Sequence, residues 1–414
     1  MRIALDARRL WDGSGIGRVT ELVLDVMATF GRQHEVVALV RPETDPSAKW
    51  PQAVGVVTDI PFFSKRDLYD LPQLISACRA ELFIAPQFYV TPFSNVPTIR
   101  IIHDMWPLFR PDWLPTVEDL VDHFGPECHE GIADILSRFE ETRREGTLFP
   151  DNSFIRSRLP VVRNNTVAYY AVAMMSIALQ LSQRLITVSE YSKSEIEAIF
   201  PEVSSKLAVV HNYVVDSLFA NDEEPGQRRG ILHVSKLDPR KNHNGLLKAL
   251  EIIRAELGPD VTLTIAGGTG YRRYSRDIIN TFNSTPGVVY SGHVKDDLLL
   301  RTMYQAARVF VFPSFHEGFG IPVLEAMASG TPVVASNITA IPEVCGDAAV
   351  LVNPHDEREI ADAVIAVCTD KALEKRLRKA GGGRARLFTK QRAARALREV
   401  LDQILQPSSL DRVE

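Results

Sequence analysis

The chain has 414 residues, 45% of them hydrophobic and 24% charged, and carries a net charge of −5 at neutral pH. That length exceeds one ordinary core and predicts two domains, while the mild acidic balance excludes a global basic footprint for nucleic acid. Four cysteines without a C-x-x-C pair exclude zinc-ligand spacing and a disulfide scaffold, and fit buried thiols in a reducing cytoplasm.

The opening MRIALDARRL reads as a strand and lacks the long apolar core of a signal peptide. WDGSGIGRVTELVL follows, a glycine loop leading into a helix over residues 18–30. Gly13, Gly15 and Gly17 are spaced G-x-G-x-G, whereas the dinucleotide fingerprint needs its third glycine at Arg18. AGGTG at 266–270 misses that spacing too, so hydride transfer with a nicotinamide cofactor is poorly supported.

HEVVALV, AELFIAP, TIRIIHD and RLITVS are the next strand candidates, with a helix over 192–200 that opens on Ser192-x-x-Glu195, the pattern of a capping box. Short apolar strands alternating with amphipathic helices predict a parallel sheet covered on both faces. Residues 106–183 break the rhythm and read as a helical insertion, rich in charge over 119–144, that shapes a substrate face or an interaction surface. Inside it, VAYYAVAMMSIAL at 167–179 has 13 residues. A bilayer needs about 20, so this stretch predicts a buried helix and no transmembrane segment.

A polar passage over 212–230, with Gly and Pro, marks the domain boundary. The first domain then covers 1–215 and the second 216–388. Residues 389–414 form a C-terminal helix that could pack back on the first domain. The second half restarts the alternation with GILHVS, a helix through GLLKALEIIRAEL, VTLTIAG, GVVYSGHV, a helix to 307, RVFVFPS, a further helix, TPVVAS and AAVLVNP. Two more amphipathic helices follow over 372–387 and 391–405.

The densest chemical signal is FHEGFGIPVLEAMASGTPVV at 315–334. RVFVFPS lacks alternation, as a strand buried on both faces does. A helix begins near Ile321, with Pro322 in its first turn, where the missing N–H costs nothing. Ligands of open α/β sheets bind beyond the carboxyl ends of the strands, and a helix N-terminus there suits an anion. Gly318 and Gly320 let backbone amides approach a phosphate or a sugar. Glu317 can accept hydrogen bonds from sugar hydroxyls, and Glu325, one turn into the helix, suits the diol of a ribose. The alternative is a solvated loop acid followed by a favourable first-turn charge. The glycine pair and the strand–loop–helix setting favour the nucleotide-sugar site. Lys236 and Lys241, in HVSKLDPRKNHNGLL, sit where they can meet a diphosphate rather than merely decorate a solvated loop. His103, at the end of TIRIIHD, is either a packed histidine or a contact to the sugar.

These residues resemble the retaining glycosyltransferases of family 4. The E-x7-E signature, Glu317 to Glu325, carries most of the likeness, supported by GSGIGR, the HD at His103, ITVSEYSKSEI, VVHNYV, LDPRKN and SGHV. The resemblance implies the GT-B fold, two facing Rossmann-like doubly wound α/β domains with a cleft between them. It implies that Glu317 and the backbone of Gly318, Phe319, Gly320 and Ile321 hold the donor sugar and diphosphate, and that Glu325 holds the ribose. Lys236 and Lys241 take the diphosphate, with Ser235 and Lys236 standing where the family has Gly-Arg. Gly292, His293 and Val294 line the base. Gly15, Ile16 and Gly17 close on the donor from the other domain, and His103 contacts the transferred sugar. His211-Asn212-Tyr213 departs from the usual Pro-Asn-Gly.

The implied reaction retains the anomeric configuration, uses no metal or other cofactor and needs no side-chain nucleophile. Similarity to bacterial mannosyltransferases of surface polysaccharides implies GDP-mannose as donor and a saccharide or lipid-linked glycan as acceptor. The enzyme would be cytoplasmic, with peripheral contact at the inner face of the plasma membrane. Its oligomeric state is open. Alternatives on the same fold are a transferase using UDP-sugars, a glycogen-synthase-like enzyme and a sugar-nucleotide epimerase. A non-catalytic nucleotide-sugar-binding partner is the reading from another class.

Overall fold

The computed structural model describes residues 1–110, 113–145, 165–219 and 228–405. They form two compact units, one from Met1–Val210 with Gln391–Glu414 and the other from His211–Lys390.

The first unit is built on a sheet of seven parallel strands. In spatial order they are β3 (Ala53–Val57), β2 (Glu35–Val40), β1 (Arg2–Asp6), β4 (Leu82–Ala85), β5 (Thr98–Ile102), β6 (Arg184–Thr187) and β7 (Leu207–Val209). The central β4 and β5 are buried along their whole length, as strands between two helical layers must be. The edge strands β3 and β7 were not among the expected elements. β3 is the apolar run AVGVV, but as an edge strand it leaves Val54 and Val57 exposed, and β7 has only three residues, LAV.

The first helix is Gly15–Thr29, three residues longer at its start than expected. Ser14 caps it by accepting a bond from the Gly17 amide at 3.1 Å, so Gly15, Ile16 and Gly17 form a helical turn rather than a loop. A Cβ on Gly17 would stand 2.7 Å from Asp12 Oδ1 and 2.8 Å from the Arg9 carbonyl, so glycine lets the preceding turn rest on the helix. The expected capping box at Ser192 does not form either. Ser189 caps the helix Glu190–Ile199 by accepting from the Ser192 amide at 2.9 Å, and Glu195 accepts instead from the Tyr191 hydroxyl at 2.8 Å.

The insertion holds the helices Trp106–Phe109, Val117–Phe124, Glu127–Glu145 and Thr166–Leu181. The last is buried from Val167 to Leu179, as expected, and among the described residues no helix is long and apolar enough to cross a membrane. The part of the insertion at 111–112 and 146–164 lies outside the described residues. The C-terminal helix Lys390–Leu405 packs on the first unit: the Arg398 guanidinium lies 3.7 Å from the Phe30 ring centre and donates to Thr29 Oγ1 at 2.5 Å.

A buried charge cluster closes the carboxyl end of β1. Arg8 donates to both Asp6 oxygens at 2.9 Å and lies 2.7 Å from Asp67 Oδ1. One guanidinium thus serves two interior carboxylates. Burial, opposed by Arg8 and assisted by Asp6, pushes the Asp67 carboxyl up to about 6. Its ordinary value is near 4, so between those two pH values the folded chain holds a proton that the unfolded chain has released. This contribution to stability is present below pH ~4 and is lost as pH rises through ~6. Asp67→Asn is expected to flatten that part of the stability–pH profile, read from thermal midpoints between pH 4.5 and 7. A slope unchanged in the variant would assign the proton elsewhere.

The second unit has six parallel strands in the order β10 (Val288–Gly292), β9 (Leu263–Ala266), β8 (Arg229–Val234), β11 (Ala307–Phe312), β12 (Val333–Ser336) and β13 (Val350–Val352). β11 is interior, paired with β8 through Val309↔Ile231 and with β12 through Phe310↔Val333. Its core gathers Leu246, Leu250, Ile253, Ile265, Val309, Val311, Ile360 and Val364 from sheet and helices. Both units are therefore doubly wound parallel sheets.

Candidate functional site

The site of the second unit is assembled from loops at the carboxyl ends of β8, β9, β10, β11 and β12. The loops after β8 and β9 run against each other. The Ser235 amide donates to Ala266 O and that of Leu237 to Gly268 O, both at 2.9 Å, and Gly267 N bonds Gly292 O at 2.8 Å. A Cβ on Gly267, where φ is 151°, would fall 1.7 Å from Ser235 O, and one on Gly270 would fall 2.2 Å from Leu237 O. The glycines of AGGTG thus serve loop-on-loop packing, which explains why their spacing matches no dinucleotide motif.

Pro239–Lys241 is a single tight turn that Asp238 caps. Asn242 then takes the left-handed conformation at φ 57° and caps the helix His243–Leu257, accepting from Gly245 N at 3.2 Å and donating to Pro354 O at 2.7 Å. This reversal turns Lys241 inward. Its ammonium donates to Glu317 Oε1, and both side chains are only 8% exposed. Glu317 is held from behind, because its amide bonds Thr339 Oγ1 at 3.2 Å, and Phe315 N bonds Arg240 O at 2.8 Å. Burial works to raise the Glu317 carboxyl, but Lys241 and Arg240 outweigh it and keep it below the usual range. Burial lowers Lys241 against the pull of Glu317. The pair is an interior ion pair, with one of the three ammonium protons given to the carboxylate.

Lys236, by contrast, is exposed, its ammonium 5.7 Å from the Tyr271 ring centre. Ser235 points inward and its hydroxyl belongs to a chain of bonds. His233 Nδ1 faces Val311 O at 2.8 Å, so that nitrogen carries the proton and Nε2 accepts from the Ser235 hydroxyl at 2.8 Å. Ser235 Oγ then accepts from His243 Nε2 at 3.2 Å, and His243 Nδ1 accepts from Tyr274 at 3.1 Å. Every donor in this chain has one acceptor if both imidazoles are neutral. Burial supports that state, pushing His233 down to about 4 and His243 well below its ordinary value. The Ser235 side chain is therefore spent on the interior, and a contact from this residue to a ligand would fall to its backbone.

Gly320, at φ 100°, precedes the helix Ile321–Ala328 and provides no side-chain cap, unlike Asn242 or Asp296 at neighbouring helices. A Cβ there would meet Ile341 Cδ1 at 2.5 Å. Phe319 is buried against Phe388, with ring centres 5.6 Å apart. Glu325 is 3% exposed and accepts from the Tyr304 hydroxyl at 3.0 Å. Gly292, at φ 72°, ends β10, and the His293 ring after it lies beside Gly268. His211 Nε2 lies 2.8 Å from Glu343 Oε1.

The second unit thus brings together Glu317, Lys241, Lys236, Ser235, Gly292 to Val294, Gly318 to Ile321 and Glu325. Gly15, Ile16, Gly17 and His103 belong to the first unit. There His103 donates from Nε2 to Pro86 O at 2.9 Å, and burial lowers its imidazole, which is neutral at physiological pH. Three supporting residues escaped sequence reasoning: Tyr304, Thr339 and His243. Thr339 is a β-branched residue at φ 60°, a conformation that no local pattern announces.

Comparison with known proteins adds identity to this geometry. Residues 215–384 match the family model for glycosyl transferases group 1, which bears out the resemblance carried by Glu317 and Glu325. O-antigen chain mannosyltransferase B of Escherichia coli is 32% identical over 226 residues, 51% of this chain and 58% of that protein. MMP alpha-(1->4)-mannosyltransferase of Mycolicibacterium hassiacum is 34% identical over 222 residues, 53% of this chain and 52% of that protein. The chain therefore spans little more than half the length of either relative. Among solved structures, sucrose-phosphate synthase of Thermosynechococcus elongatus superposes with a TM-score of 0.65 at 18% identity, covering 98% of this chain and 99% of that one. Anabaena HepE, in complex with UDP and glucose, gives 0.62 at 15% identity, covering 97% and 99%. These likenesses show the fold, a GT-B pair of Rossmann-like units.

Proposed function

We propose that this chain, whose residues 215–384 match the family model for glycosyl transferases group 1, transfers mannose from GDP-mannose to a saccharide acceptor of surface-polysaccharide synthesis. The observation that carries the reading is the interior Lys241–Glu317 pair at the end of an interior strand, with buried Glu325 eight residues further on. The mannosyltransferases among its relatives support the choice of sugar.

In this reading Glu317 accepts hydrogen bonds from the donor sugar, and its charge is kept in place by Lys241. The diphosphate takes its counter-charge from Lys241, exposed Lys236 and the start of the helix Ile321–Ala328. Glu325 accepts from the ribose, and Gly292, His293 and Val294 line the base. The acceptor hydroxyl attacks the anomeric carbon on the face from which the diphosphate leaves. The bond from that carbon to the phosphate oxygen breaks, and the hydroxyl proton passes to the departing phosphate. The configuration is retained, and lysines and amides rather than a metal answer the developing charge. The acceptor is a lipid-linked glycan met at the inner face of the plasma membrane.

Incubating the protein with GDP-mannose, a short mannoside and EDTA tests the proposal. The expected product is an α-mannoside, identified by its anomeric coupling in NMR. Transfer only from a UDP-sugar would overturn the donor, and a β-linked product would overturn retention.

The Glu325–Tyr304 bond gives a second expectation. Tyr304→Phe removes the hydroxyl that fixes one carboxylate oxygen, so GDP affinity should fall several-fold, while affinity for 2′,3′-dideoxy-GDP should hardly change. Equal losses for both nucleotides, measured by calorimetry, would separate Glu325 from the ribose.

A further inference from the structure

The turn after β1 holds one large aromatic ring out of the core at a conformational cost. Trp11 has φ 61°, a left-handed backbone that glycine adopts freely and tryptophan does not, and its side chain is 46% exposed. Neither feature serves burial. A residue in a strained conformation persists where the surroundings over-determine it, and here they do. Arg9 Nε donates to Asp12 Oδ2 at 2.6 Å and Nη1 to the Tyr89 hydroxyl at 2.8 Å, tying the turn to the loop after β4. Asp12 Oδ1 accepts from the Ser14 amide at 2.8 Å, and Gly17 lets the helix start press on the Arg9 carbonyl.

The ring itself is backed on one face. Trp11 stacks on Trp50 with centroids 5.9 Å apart and planes 18° from parallel. Trp50 is 2% exposed, and its Nε1 donates to Asp25 Oδ1 at 2.8 Å. A fixed indole thus supports an exposed indole, beyond the carboxyl end of β1, an interior strand of the first unit.

We propose that Trp11 is a stacking platform for a pyranose ring of the saccharide acceptor. The identity of that ligand rests on the transferase reading above. A pyranose presents one flat face of C–H groups and a rim of hydroxyls, so it needs a flat apolar ring bordered by hydrogen-bonding groups. Trp11 is the ring, and Asp12 and Arg9 flank it in the same turn. The charges beside the two indoles are paired, Arg9 with Asp12 and Lys49 with Glu21, unlike the net basic clusters that an anionic membrane surface attracts.

Two substitutions in the full chain separate ligand binding from packing. Trp11→Gly suits the left-handed backbone and removes the ring, and Trp11→Phe keeps a smaller ring. We expect Trp11→Gly to leave the thermal midpoint unchanged or higher and to retain stabilisation by GDP. Equilibrium binding of mannotriose, measured by NMR saturation transfer without donor, should weaken about tenfold, and the acceptor KM should rise alike, with Trp11→Phe intermediate. Equal mannotriose binding by wild type and Trp11→Gly would overturn the proposal, as would a lowered midpoint in both variants, which makes the ring a packing element. Loss of binding to phosphatidylglycerol vesicles with unchanged mannotriose binding would assign Trp11 to a membrane instead. Failure of the transferase reading looks different: a wild type that binds mannotriose through Trp11 yet moves no sugar.

Discussion

Lys241→Met is expected to abolish transfer and to destabilise the second unit by about 3–5 kcal/mol, the usual cost of stranding one member of a buried ion pair. For a unit of this size that corresponds to a thermal midpoint lower by roughly 10 °C. The cause is Glu317, which is interior and would lose its ion-pair partner, leaving Arg240 and the Ser314 hydroxyl to answer its charge. Glu317→Gln should cost less stability, because burial already lowers Lys241 and the amine can shed its proton once its partner is gone. The double variant Lys241→Met with Glu317→Gln should recover most of the stability and none of the activity. A double-mutant cycle therefore separates the structural role of the pair from its chemical role. A single Lys241→Met protein as stable as wild type would mean that the pair is not interior.

Gly267→Ala should be more damaging still. The added methyl would sit 1.7 Å from the Ser235 carbonyl, an atom of the backbone that no rotamer change can move aside. The loops after β8 and β9 would have to separate, with loss of the bonds from Ser235, Leu237 and Gly267. We expect a loss above about 4 kcal/mol in urea unfolding, in the range of the most disruptive single substitutions. Gly382→Ala is the internal control. It lies in the helix Lys371–Ala385 with nothing within 4 Å of its added methyl, and should stabilise by about 0.5–1 kcal/mol. Similar behaviour of the two variants would deny the loop contact that shapes the site.

The contrast between these glycines shows what the sequence could and could not reveal. Strands such as RVFVFPS were legible because interior parallel strands leave an unbroken apolar run. β3 and β7 were not: AVGVV is apolar but carries a glycine and lies at the sheet edge with two valines exposed, and the three residues of β7 carry no period. Glu317 and Glu325 were legible from spacing and from the glycines between them. Their partners were not. Tyr304 reaches Glu325 from another helix, and Thr339 meets Glu317 from the loop after β12, so both contacts exist only once the chain is folded. Ser192 and Ser189 illustrate a local ambiguity, since either serine precedes a helical pattern and only the backbone decides which one caps. Ser235 shows a subtler limit. The resemblance places Ser235 in the donor site, where the family has the glycine of Gly-Arg, yet two neutral histidines consume its hydroxyl.

The most direct test of a nucleotide-sugar site around Glu317 and Lys241 is thermal stabilisation of the wild-type chain by GDP, UDP, ADP and dTDP in parallel, without added metal and in the presence of EDTA. A ligand that binds only the folded state must raise the midpoint in proportion to its occupancy. The expected response is clear, largest for GDP and lost in Lys241→Met, measured relative to that variant's own lowered midpoint. No response to any of the four nucleotides, at concentrations far above ordinary affinities, would contradict a nucleotide-sugar site around Glu317 and Lys241.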